Sequence, residues 1–188
     1  MNRHYEAALE FQRFFQERGW RFCVIGGVAI MRWGELRTTQ DVDLSLLTGF
    51  GEEEKFIDAL LARFASRREN AAEFALRHRV LTLRASNGLD VDIALAALPY
   101  EEEMIGRATP FDYESDVSLV TCSAEDLVVL KAFAARPQDW RDVEGILIRQ
   151  GERLDWGYIR THLPPLCELK EAPEIMDRLN ELRRSTAV

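Results

Sequence analysis

Residues 24–46 read VIGGVAIMRWGELRTTQDVDLSL. Gly26 and Gly27 close a short apolar run, and 14 residues beyond Gly27 the chain reaches Asp41 and Asp43, which alternate with Val42, Leu44 and Leu46. In an extended strand, residues i and i+2 face the same side. Asp41 and Asp43 therefore project together while the three aliphatic side chains face the opposite layer. Two anions on one face repel, and such a pair is comfortable beside a shared cation. Magnesium suits, because it is hard and bridges one or two carboxylates to phosphate oxygens. A solvated strand edge or a turn would also carry two aspartates, so the pair alone leaves both readings open.

A second pair bears on the choice. Residues 88–95, GLDVDIAL, repeat the pattern, with Asp90 and Asp92 on one face and Leu89, Val91 and Ile93 on the other. If this strand lies beside the first, three or four carboxylates converge, enough for two divalent ions in an in-line phosphoryl displacement. Asp90 directly follows the Asn87-Gly88 turn and has a turn role open to it. Asp92 sits deeper in the apolar run and is preferred as the third acid. Gly26-Gly27, between a strand and a helix, leaves backbone amides and a helix start bare for close approach by phosphate oxygens.

Around this stretch the pattern is that of an α+β (mixed α/β) chain. Residues 5–19 carry apolar side chains at helical spacing and end at Gly19, and residues 28–34 fit a short helix closed by Gly34. Residues 52–67 predict one helix with acids in its first turn and arginines in its last, in accord with the macrodipole. Residues 78–98 read as a hairpin about Asn87-Gly88, and VSLVT (117–121) as a further strand. From Ser123 onward the chain reads as helices, the first capped by Ser123 with Asp126 and the second restarted by Pro137. The expectation is a small mixed sheet of 4–5 strands with flanking helices in residues 1–122, and a helical C-terminal portion in residues 123–188 packed on it.

Composition narrows the classes. The 188 residues are 47% hydrophobic, ample for a core, and the net charge of −8 argues against a protein built to coat nucleic acid. Arg63, Arg67, Arg68, Arg77, Arg79 and Arg84 could form a local basic surface, or simply solvated helix and strand faces. Cys23, Cys122 and Cys167 form no CxxC and read as free thiols. No apolar run reaches the about 18 residues of a membrane span, and residues 1–20 lack a leader's apolar core. A cytoplasmic protein without a membrane partner is expected. His4, His78 and His162 are scattered and make no metal-spaced set.

The pattern G-G-x-A-x(4)-G-x(2)-R-x-T-x-D-x-D, carried by Gly26, Gly27, Ala29, Gly34, Arg37, Thr39, Asp41 and Asp43, resembles the polymerase-β-type nucleotidyltransferase superfamily. Its R-x-T-x-D-x-D form is most similar to the AbiEii-like toxin branch and related small bacterial nucleotidyltransferases. A second block, AEDLVVLKAFAARPQDWRDVEGIL (124–147), resembles that branch's D-L-x(3)-K-x(2)-A-x-R-x(2)-D-x(2)-D through Asp126, Leu127, Lys131, Ala134, Arg136, Asp139 and Asp142. The resemblance covers roughly residues 20–150. It implies a nucleotidyltransferase fold and transfer of a nucleoside monophosphate from an NTP to an acceptor hydroxyl, with two magnesium ions. Asp41, Asp43 and Asp92 would be the catalytic and metal-binding acids, with Gly26, Gly27, Arg37 and Lys131 toward the nucleotide. The acceptor stays open between an RNA 3′ end, a protein side chain and a small molecule such as an antibiotic. A toxin role would add a cognate antitoxin as partner.

Lys131 can be read without the resemblance. It is the single charge in LVVLKAFAA, so it needs an anion or must snorkel to water. Arg37 could reach phosphate or pair with a neighbouring acid. Asp139 and Asp142 fall in the first turns of the Pro137 helix, where acids are stabilising. Two rivals from other classes remain: a non-catalytic module of the same fold that binds nucleotide or a partner protein, and a D-x-D glycosyltransferase. The second is disfavoured by the 40 residues that precede Asp41, too few for a nucleotide-binding unit of that kind.

Overall fold

The structure, a computed structural model, describes residues 2–35 and 37–186. In chain order the elements are α1 (Arg3–Glu17), β1 (Phe22–Ile25), α2 (Gly26–Trp33), β2 (Asp41–Leu47), α3 (Glu53–Leu61), β3 (Ala65–Ser66), α4 (Ala71–His78), β4 (Val80–Arg84), β5 (Asp90–Ala96), α5 (Pro99–Arg107), β6 (Thr109–Glu114), β7 (Val117–Thr121), α6 (Ala124–Ala134), α7 (Pro137–Gln150), a single 3-10 turn (Gly151–Arg153), α8 (Trp156–Leu169) and α9 (Glu174–Thr186). They form two compact units. The first holds the chain up to Ala29 and Thr38–Cys122; the second holds Ile30–Arg37 and the chain from Ser123 onward. The boundary in the first segment falls inside α2.

The first unit is built on a seven-stranded mixed sheet in the order β3-β4-β5-β2-β1-β7-β6. The expected 4–5 strands are corrected to seven by β3 and β6. β3 has two exposed residues, and β6, TPFDYE, is a largely exposed edge strand that carries Pro110. Neither shows a buried face, and proline is tolerated at an edge, so hydrophobic alternation does not reveal them. The helix expected over residues 52–67 is also shorter. It ends at Leu61 with no basic residue in its last turn, and the chain turns to lay Phe64 on Phe11, ring centroids 4.0 Å apart. Arg63, Arg67 and Arg68 lie beyond the helix, so the dipole argument does not apply to them. α4 and α5, over residues left unassigned by pattern, complete the unit.

β2 and β5 run parallel at the centre, while β1–β2 and β4–β5 pair antiparallel. Val42, Leu44 and Leu46 of β2 and Val91, Ile93 and Leu95 of β5 are buried in one cluster with Phe11, Phe14 and Phe15 of α1. Each such side chain contributes about 1.5–3 kcal/mol on burial. This apolar face sends Asp41, Asp43, Asp90 and Asp92 to the other side of the sheet.

One polar group is buried in α1. Gln12 donates from Nε2 to the Ser118 carbonyl at 2.8 Å and accepts from the Val120 amide at 2.9 Å. β7 meets β1 at Val24↔Thr121 and no further along the strand, so these two backbone groups have no ladder partner on that side. The carboxamide replaces the missing strand.

In the second unit α6 starts at Ser123, whose Oγ accepts from the Asp126 amide at 3.1 Å. The fully buried Asp126 carboxylate accepts from Tyr158 Oη of α8 at 2.6 Å. The segment 30–37 is fastened to α7. Arg149 donates to the Gly34 carbonyl at 2.6 Å and Gln150 to the Trp33 carbonyl at 2.7 Å. A Cβ on Gly34 would stand 3.2 Å from Ile146 Cγ1, a tight contact that the Ile146 side chain would have to yield to.

Gln12→Ala removes the partner of one amide and one carbonyl of β7, both part-buried, at about 1–2 kcal/mol each. A loss of about 2–4 kcal/mol in urea denaturation is expected, with no change of fold by circular dichroism.

Candidate active site

Strand register assembles the acids. Asp43 of β2 is the Cα partner of Asp92 on β5, and Asp41 is the partner of Asp90. One carboxylate oxygen each from Asp41, Asp43 and Asp92 lie within 4.8 Å of one another, all three side chains half-buried. This is an all-oxygen donor set of the kind hard divalent cations take. The three acids could hold a metal ion.

Asp90 has different company. Its Oδ1 accepts from Arg84 Nε and Nη2 at 3.1 and 3.0 Å, and its Oδ2 from Arg67 Nη1 at 3.0 Å. Burial works against its charge, but the Arg84 hydrogen bond and the two guanidinium charges outweigh it and lower its pKa. Asp92 is shifted the other way. Burial is the largest cause, opposed by Arg67 and reinforced by the charges of Asp41 and Asp90, and the net result is a raised pKa. Two acids separated by one residue are thus held in opposite directions.

The glycines shape the other wall. Gly26 directly follows Ile25, the partner of Asp43 in the β1–β2 ladder, and has φ +62°. A Cβ on it would overlap the Asp43 carboxylate and stand 2.7 Å from Asp43 Cβ. Glycine is required here on two counts, the left-handed backbone and the contact. At Gly27 a Cβ would stand 2.6 Å from Thr39 Cβ. Thr39, buried, donates from Oγ1 toward the Asp41 carbonyl at 3.1 Å and Oδ1 at 3.3 Å. The start of α2 and the loop before β2 therefore touch through glycine and threonine at the acids.

Five of the sequence-predicted site residues, Gly26, Gly27, Asp41, Asp43 and Asp92, come together in the first unit. Arg37 and Lys131 belong to the second and engage carboxylates there. Arg37 donates from Nε and Nη2 to Asp142 at 2.7 and 2.9 Å. Buried Lys131 lies 2.9 Å from Asp142 Oδ2 and 3.2 Å from Asp139 Oδ1. Arg136 adds a 2.6 Å contact to Asp139. The anion that an apolar helix demands of its lysine is supplied by α7. Burial opposes the charge on Asp139 and Asp142, but hydrogen bonds from Arg136 and Lys131 to the first, and from Arg37 and Lys131 to the second, leave both with lowered pKa.

Sequence reasoning missed Arg67 as a site residue, grouping it with five other arginines. Its Nη2 donates to Asp92 Oδ1. The group itself is largely consumed by acids: Arg63 meets Glu10, Arg79 meets Glu53, and Arg84 meets Asp90. Nothing in the local pattern marks Arg67, because its partners lie on a strand two positions across the sheet.

Comparison with known proteins accords with this geometry. A family model described as a nucleotidyltransferase of unknown function (DUF6036) matches residues 9–172. Among solved structures, the chain is similar to an antigenic nucleotidyltransferase-like protein from Paracoccidioides brasiliensis, with TM-score 0.52 and 15% identity over 95% of this chain and 93% of that one. It is also similar to lincomycin-bound LnuA, a lincosamide antibiotic adenylyltransferase, with TM-score 0.50 and 12% identity over 75% of this chain and 94% of that one. These are likenesses of fold. Comparison with curated protein sequences gives no match. Among the described residues no helix is long and apolar enough to cross a membrane.

The lowered pKa values of Asp139 and Asp142 fix a pH dependence. Their contribution to stability is present above about pH 4, the unfolded carboxylate value, and is lost as pH falls through the lower folded values. Urea titrations over a pH series should show this acid loss. Asp142→Asn should reduce it and cost about 3 kcal/mol at neutral pH, because Arg37 loses its anion and Lys131 keeps only Asp139.

Proposed function

The chain belongs to the nucleotidyltransferase family whose model it matches, and from that membership we propose that it moves a nucleoside monophosphate from an NTP to a hydroxyl group of a small-molecule acceptor. The observation that carries the reading is the convergence of Asp41, Asp43 and Asp92 on adjacent strands, with Gly26 against the Asp43 carboxylate.

In the proposed reaction the acceptor oxygen bonds to the α-phosphorus. The bond from that phosphorus to the oxygen bridging the β-phosphate breaks, and pyrophosphate leaves with the electron pair. Magnesium held by Asp41, Asp43 and Asp92 would supply the positive charge that binds the triphosphate and stabilises the developing anions. The chain's own groups do the rest. Gly26 and Gly27 leave backbone at the start of α2 open to phosphate oxygens. Thr39 holds Asp41 through its carbonyl and carboxylate. Asp92, half-buried on the strand beside Asp43, would take the acceptor's proton as general base.

Two features support a small molecule over RNA as acceptor. The net charge is −8, and most of the arginines that would make a basic face in the first unit are committed to acids. The adenylyltransferase LnuA, similar in fold, is a lincosamide antibiotic enzyme. A toxin role, toward which the R-x-T-x-D-x-D form leans, would instead put the acceptor on RNA or protein and bring an antitoxin partner.

Incubation with each α-labelled NTP and magnesium, alongside a low-molecular-weight cell extract, total RNA, lysate protein and the enzyme alone, separates these outcomes. Label in the small-molecule fraction with release of pyrophosphate is expected. Label on RNA or protein selects the toxin reading, and magnesium-dependent NTP binding without pyrophosphate release selects a non-catalytic module. Asp41→Asn and Asp43→Asn should each reduce transfer at least about a hundredfold with the fold retained. Undiminished turnover in either would sink the assignment.

A further inference from the structure

The ladder that ends in β3 continues one residue further, because the Arg67 amide donates to the Thr82 carbonyl at 3.1 Å. Ala65 pairs with Arg84 and Ser66 with Leu83, so Arg67 stands opposite Thr82, and Thr82 is the partner of Asp92. Directly opposed residues share a face of the sheet. Arg67, Thr82, Asp92 and Asp43 therefore form one transverse row on the acid face. From the edge of this row Arg67 reaches over β4 to Asp92 Oδ1 with Nη2 and to Asp90 Oδ2 with Nη1.

The rest of the guanidinium is not used. Arg67 Nε is buried without a hydrogen-bond partner, and so is Oγ1 of the opposed Thr82. Thr82 is more than nine-tenths buried. Buried donors are rarely left unpaired in a settled structure. Two such atoms on directly opposed residues, one of them in the guanidinium that touches the third acid, mark an arrangement with a missing participant. Asp90 does not need Arg67, since Arg84 already makes two hydrogen bonds to it. Among the described residues Arg67 is the cation paired with Asp92.

Resting on the reading of the three acids as a metal site, we propose that Arg67 is an exchangeable counter-ion of Asp92: it holds the third acid in the metal-free protein, competes with the divalent ion for it, and when displaced binds the phosphate anion that arrives with the metal. A guanidinium and a divalent cation cannot share the Asp92 carboxylate without repulsion, so metal alone meets resistance. An incoming phosphate removes that resistance by offering Arg67 a better-matched anion, to which its planar fork can bond through Nε and Nη together. Metal and phosphate then bind cooperatively, each raising the affinity for the other by the same factor. Arg67 positions Asp92 in the metal-free protein and binds phosphate directly once displaced.

The test uses the full chain without substrate, with Mn2+ followed by its electron paramagnetic resonance signal and pyrophosphate as the anion. Arg67→Gln, which removes the charge and withdraws the donor from Asp92 while leaving a polar side chain, should bind Mn2+ alone about tenfold more tightly or better, the scale on which a neighbouring guanidinium alters a carboxylate's affinity for a cation. It should also lose most of the gain in Mn2+ affinity that pyrophosphate gives the wild type. Arg67→Lys should restore weak binding of Mn2+ alone, and in an Asp92→Asn background Arg67→Gln should have no effect. Circular dichroism of each variant separates these changes from unfolding. Unchanged or weaker Mn2+ binding by Arg67→Gln overturns the proposal, as does an undiminished pyrophosphate effect. Absence of Mn2+ binding from both wild type and Arg67→Gln overturns it together with the metal site. Failure of nucleotidyl transfer with the Mn2+ pattern intact would defeat the proposed function and leave the counter-ion role standing.

Discussion

The parallel pairing of β2 with β5 is the constraint on which the rest of the first unit depends. In each strand the aliphatic residues face the buried cluster around α1, and the aspartates occupy the alternate positions. The side-chain period is two, so a slip of one residue would drive Asp43 or Asp92 into that cluster and expose Leu44 or Ile93. The hydrophobic effect sets the register, and the register sets the acids opposite each other. The site geometry is thus enforced from the face of the sheet that takes no part in it.

This arrangement costs free energy locally. Three carboxylates within 4.8 Å, one with its pKa raised chiefly by burial, would not be chosen for stability. The compensations are visible around them. Arg67 and Arg84 neutralise the Asp90–Asp92 side, Thr39 ties Asp41 to its own loop, and glycine at 26 lets backbone approach Asp43 where any side chain would collide. Three carboxylates and a left-handed glycine concentrated at one spot on an otherwise well-packed sheet accord with a site kept for its chemistry.

Much of this was legible in the residues themselves. Alternation revealed β2, β4, β5 and β7, a short apolar run stopping at glycine revealed β1, and Asn87-Gly88 revealed the turn between β4 and β5, because these strands bury apolar side chains. β3 and β6 bury almost nothing and left no such trace. Asp41, Asp43 and Asp92 could be named because paired acids in an apolar alternation are a local signal. Arg67 could not, since its role follows from β4 lying between β3 and β5, and an order of strands is not written in any short stretch. Lys131 illustrates the middle case. Its need for an anion was evident from the apolar helix around it, yet the anions proved to be Asp139 and Asp142, whose place at a helix start had offered them a simpler explanation.

The division of α2 between the two units has a consequence for how such a chain can evolve. The four residues from Gly26 count with the sheet and the next four with the C-terminal helices, where Arg149 and Gln150 bond the carbonyls of Gly34 and Trp33. The units are therefore interleaved in sequence and cannot be exchanged as cassettes. A recombination point after Cys122 would deliver a sheet whose glycine turn and first aspartate are joined by a segment deprived of the side-chain donors to its carbonyls. Replacement of the helical portion has to be accompanied by change in residues 30–37, so the stretch between the two motifs should drift together with α7, although neither carries an acid of the site.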